Sequence, residues 1–145
     1  MGTDNDELIA MMEKHRKIEL QNVEMCQEKE DQLKSAGAKL VLYSIRMDSA
    51  KHAHILQTLI DTIKEGTPEY LWDYRIDRYI GQVATERSLQ KHIEIEKEMI
   101  QQHEATIKMT KDAGIKMLLQ NIVDDEKRHH KMISEVVKRL TTIGP

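Results

Sequence analysis

The chain has 145 residues, 32% of them charged, yet a net charge of only −3 and a single cysteine. That length suits one domain with one sizeable core, and the mixed charge leaves no basic stripe for nucleic acid. One cysteine excludes both a disulfide framework and a four-cysteine zinc or iron knuckle. Met, Ile, Leu, Lys and Glu abound and Phe is absent, so the expectation is an all-α chain with little material for sheets.

Residues 1–7 are acidic and polar, unlike a signal peptide, and no apolar run approaches the length of a membrane span. The expectation is a cytoplasmic protein without a membrane partner. The first helix is predicted from Asp6 to Lys34, with Asp4 to Asp6 as capping side chains and Lys34 at the negative end of the dipole. Ser35 is the natural N-cap of the second helix. That helix carries Leu42, Ile45, Ser49, His52, Leu56, Leu59 and Ile63 in alternating steps of three and four, which predicts one buried stripe. Residues 65–84 read as a crossover holding Tyr70, Trp72, Tyr74 and Tyr79, rings expected to anchor it to the helices or to a second copy. At about twenty residues it is far longer than an ordinary helix–helix link, so the second hairpin should be inverted relative to the first. A third helix begins near residue 85. Asp112 caps the fourth, whose stripe is Leu119, Ile122, Glu126, His129, Ile133, Val136 and Leu140.

The two halves repeat at an offset of 77 residues without a gap. Lys14-His15 becomes Lys91-His92, and Ile18-Glu19 becomes Ile95-Glu96. Ser35-Ala36-Gly37 becomes Asp112-Ala113-Gly114, and Ile45, Asp48 and His52 fall on Ile122, Asp125 and His129. The predicted architecture is one four-helix bundle made of a duplicated hairpin, 6–64 and 85–141, joined by the crossover.

Acids and imidazoles stand at positions phased as core. Glu126 and His129 lie between Ile122 and Ile133, with His52 at the matching place in the first half. Counted outward from each turn, Glu19 is level with His52, and Glu96 with His129. Buried carboxylates are costly unless paired or bound to a cation, and carboxylate with imidazole suits iron, manganese or zinc. The candidate ligands are therefore Glu19, His52, Glu96, Glu126 and His129, with His15, Asp48, His92 and Asp125 as weaker candidates. The bland readings stand beside this one. His15 with Glu19 is also a plain i,i+4 pair, and Asp48, Lys51, Asp125 and Arg128 also read as surface salt bridges. His54, His103 and His130 lack repeat partners and read as solvated.

At these residues the chain resembles the ferritin-like superfamily, in its rubrerythrin and ferritin branch. The resemblance spans nearly the whole chain: duplicated hairpin, long crossover and inward acids. It implies that Glu19 and Glu96 match the family's single glutamates and that Glu126 with His129 matches one Glu-x-x-His. His52 matches the other histidine, but Ser49 stands where its glutamate belongs, with Asp48 next door. The implied function is metal binding, iron first and manganese or zinc as alternatives, with one or two ions, and oxidation of ferrous iron or reduction of peroxide. The alternative is a metal-free helical module that forms a homo-oligomer. A hemerythrin-like oxygen carrier is disfavoured by the long crossover and by missing histidines.

Overall fold

The computed structural model describes residues 2–66 and 82–142. Four long helices account for nearly all of them: α1 Gly2–Gln32, α2 Ala36–Glu65, α3 Gln82–Met109 and α4 Ala113–Thr142. The protein is all-α, and no strand occurs among the described residues. Most of the predicted crossover, with Tyr70, Trp72, Tyr74 and Tyr79, lies outside them. Helix α1 packs on α2 and α3 packs on α4, and each hairpin is a compact unit. No described helix is long and apolar enough to cross a membrane.

Both hairpin turns use the capping chemistry predicted for them. In the first, Ser35 takes an extended backbone (φ −71°, ψ 122°), and its hydroxyl accepts a hydrogen bond from the Ala38 amide at 3.3 Å. In the second, Asp112 Oδ1 accepts from the Ile115 amide at 2.9 Å, and Thr110 Oγ1 accepts from the Asp112 amide at 3.2 Å. Each cap occupies an amide that the first turn of a helix leaves without a partner. The carboxylate also suits the positive end of the α4 dipole. Replacing Asp112 with Ala is expected to cost about 1 kcal/mol, read as a lower urea midpoint at unchanged slope, while Asp112→Asn stays close to wild type.

Within each hairpin the helices meet along a seam of period 3.5, the rhythm of an antiparallel coiled coil. In α1 the seam is Ile9, Met12, Arg16, Glu19, Val23, Cys26 and Glu30, each half-buried or buried. Adding 77 gives Glu86, Leu89, Ile93, Glu96, Ile100, His103 and Ile107, which are the seam of α3. In α2 the seam is Leu42, Arg46, Ser49, Ala53, Leu56, Ile60 and Ile63. In α4 it is Leu119, Val123, Glu126, His130, Ile133 and Val137, again 77 residues on. The duplication thus extends from sequence similarity to the burial pattern of each helix.

This seam corrects the predicted stripes by one residue at every other step. Ile45 (43% exposed), His52, Ile122 (40%), His129 and Val136 (36%) were expected inside and lie in a row beside the seam. Arg46, Ala53, Val123, His130 and Val137 take the inward places instead. One residue is about 100° of rotation on a helix, so a row one step off the seam leaves the contact with the partner helix. Each α2 or α4 carries two adjacent polar-apolar rows, and only its neighbour's position decides which becomes the seam.

Cross-helix contacts fix the antiparallel register of the first hairpin. From the turn outward, Glu30 pairs with Arg46 at 2.7 Å, and the Asn22 amide donates to the Ser49 hydroxyl at 3.3 Å. Farther out, Glu19 approaches His52 at 3.6 Å, and Glu13 approaches Lys64 at 3.6 Å. In the second hairpin Lys127 reaches Glu104 at 3.2 Å.

Candidate functional site

The candidate ligands separate by depth. Glu96 is the extreme case, 1% exposed on the α3 seam between Ile93 and Ile100. Both of its carboxylate oxygens are buried without a hydrogen-bond partner among the described residues. His92, one turn earlier, brings Nε2 to 2.8 Å of Oε1. That approach is not aligned as a hydrogen bond, so it is a contact of charge or dipole alone. Glu126 is half-buried on the facing α4 seam.

The imidazoles are more open. His52 is 52% exposed at its side chain, with Nδ1 3.6 Å from Glu19 Oε1, and Glu19 is itself only partly buried. His129, the repeat mate of His52, is also exposed, as are His15 and His92. Asp48 is paired with Lys51 at 3.7 Å and Asp125 with Arg128, so both weaker aspartates take the surface ion-pair role. Ser49, which replaces the expected glutamate, is buried and bonded to Asn22. Among the described residues, no three His, Cys, Asp or Glu side chains gather at a spacing that could hold a metal ion.

Two histidines read as solvated stand on the seam instead. His103 is half-buried at the place Cys26 holds in α1, and His130 has its Nδ1 buried without a partner at the place of Ala53. The signal for both was in the repeat itself. An imidazole that replaces a small or apolar seam residue in the duplicate sits at core depth, whatever its own neighbours suggest. The second hairpin therefore has Glu96, His103, Glu126 and His130 along its seam, where the first has Glu19, Cys26, Ser49 and Ala53. Polar groups with acid–base and ligand capacity are concentrated in one copy.

Near the turn of the first hairpin the polar seam is satisfied. Arg46 donates to Glu30 through Nε at 2.7 Å and through its second nitrogen at 3.4 Å, and its guanidinium lies 5.1 Å from the Tyr43 ring centroid. The hydrogen bond to Glu30 holds the Arg46 pKa above its ordinary value, against a smaller opposing effect of burial. The contrast with Glu96 is chemical: the partly buried Glu30 has a bidentate donor, while the fully buried Glu96 has only the unaligned approach of His92.

Comparison with protein-family models, curated proteins and solved structures returns no match for this chain.

Proposed function

We propose that this protein is a metal-binding member of the ferritin-like class, in which Glu96 anchors a divalent cation, iron first and manganese or zinc as alternatives. The observation that carries this reading is the Glu96 carboxylate, 1% exposed and without a hydrogen-bond donor. An ionised carboxylate in such a place is strongly disfavoured unless a cation or a donor faces it. Glu126 on the same hairpin is the second oxygen ligand in this reading. By the 77-residue correspondence, His129 stands to Glu96 as His52 stands to Glu19, and supplies the imidazole. The distribution of polar seam residues favours one well-held ion in the second hairpin over two equivalent ones. A ferrous ion so held would supply the reaction with oxygen or peroxide that the ferritin-like resemblance implies.

Titration calorimetry on untagged protein with ferrous, manganous and zinc ions tests it. One ion per chain is expected, with His129→Ala abolishing the binding and His52→Ala leaving it close to wild type. Ser49→Glu should move the stoichiometry towards two, because it restores a charged ligand to the first half. If none of the three ions binds below millimolar concentration, the metal-free reading replaces this one. A specific observation favours that second reading: Ile122, Met132 and Val136 are exposed on α4, and exposed apolar side chains on one helix suit self-association.

A further inference from the structure

The first hairpin contains an open hollow of about 300 Å³. Its floor is Leu20 and Val23 of α1 with Ala50 and Ala53 of α2. Arg16, His54 and Gln57 supply the polar part of its lining. In the second hairpin the places of Ala50 and Ala53 are taken by Lys127 and His130, and that of Arg16 by Ile93. Two alanines at seam and near-seam positions leave only small side chains here, whereas the matching Lys127 of the other copy extends to Glu104.

The hollow lies on the flank of the seam away from His52. Ala50, His54 and Gln57 each follow a seam residue of α2 by one position, whereas His52 precedes one. At about 100° per residue these rows fall on opposite sides of the contact line. The site is therefore separate from Glu19 and His52 and does not depend on the metal reading.

Its charge is uncompensated. Arg16 Nε is buried with no hydrogen-bond partner, and Arg16 makes no ion pair among the described residues. The acids one turn away on α1 face other partners, Glu13 towards Lys64 and Glu19 towards His52. Gln57 spends its amide on Asp61 at 2.9 Å. A guanidinium with a free buried donor beside an apolar floor matches a ligand with an anionic head and an apolar body. The volume is at the low end of small-molecule pockets, which run from about 300 to 1,000 Å³.

We propose that this hollow binds a medium-chain aliphatic carboxylate, its head on Arg16 and His54 and its chain over Val23, Ala50 and Ala53. Methyl-detected NMR on the full chain, titrated with octanoate and separately with octan-1-ol, tests the proposal. Octanoate is expected to shift the methyl signals of Val23, Ala50 and Ala53 saturably, with octan-1-ol weaker by about tenfold for want of the charged head. Arg16→Met should remove that preference, and Ala50→Leu should block both compounds by filling the floor. His54→Gln, at an exposed position, should weaken octanoate alone. Equal binding of acid and alcohol to wild type would overturn the proposal, as would shifts spread over both hairpins or no shift at tens of millimolar octanoate.

Discussion

Glu96→Leu is expected to stabilise the metal-free protein and to abolish its response to metal. The wild-type carboxylate is buried at 1% exposure with no aligned hydrogen bond, only the His92 imidazole 2.8 Å away, and leaving such a group unsatisfied costs about 1–3 kcal/mol. Leucine has similar bulk and places apolar surface between Ile93 and Ile100. The gain should appear as a melting temperature several degrees higher in chelator-treated protein. With metal present the order reverses. A ligand at a hundred times its Kd stabilises the state that binds it by about 2.7 kcal/mol, and only the wild type retains the anchor. Differential scanning calorimetry of both proteins, with chelator and with each ion, reads the crossing. A Glu96→Leu protein that melts lower than wild type under chelator would mean that the carboxylate has a structural partner in the folded state. A wild type unmoved by any ion would remove the metal reading altogether.

The second large effect is expected at Glu30 and Arg46. The duplicate offers a natural comparison, because the equivalent positions are Ile107 and Val123, an apolar pair with Val123 fully buried. Replacing an ion pair in a seam by well-packed apolar residues is often neutral or favourable, whereas removing one partner leaves a charge stranded. The double variant Glu30→Ile/Arg46→Val should therefore melt at or above the wild-type temperature. Glu30→Ile alone and Arg46→Val alone should each melt several degrees lower. Both side chains retain some solvent contact, so the single losses should fall short of those for a fully buried pair. Thermal melts of the four proteins form a double-mutant cycle. If the double variant loses as much as the two single variants together, the pair sets the register of the hairpin rather than filling space.

Helices, turns and the duplication were legible in the sequence because each has a local cause. Ser35 and Asp112 cap the amides that follow them, and helix-forming composition between the caps leaves no competing structure. The offset of 77 residues held because both copies close the same hairpin, so the same positions face the same neighbour. Local pattern could not decide which of two adjacent rows on α2 and α4 becomes the seam. Ile45/His52/Leu59 and Arg46/Ala53/Ile60 differ by one residue, and each continues the helical rhythm. On α4 the two rows, Ile122/His129/Val136 and Val123/His130/Val137, are equally apolar, and on α2 the second row carries the charged Arg46. The contact line with α1 and α3 chose the second, since Ala53 and Ile60 let the helices approach, and Arg46 can enter because Glu30 receives it. That choice moved His52 and His129 out of the seam and brought His130 in. It also left Glu96 without a donor and opened the hollow over Ala50 and Ala53. Periodicity along one helix places residues on a face, but burial belongs to a pair of helices, so only the tertiary structure could assign it.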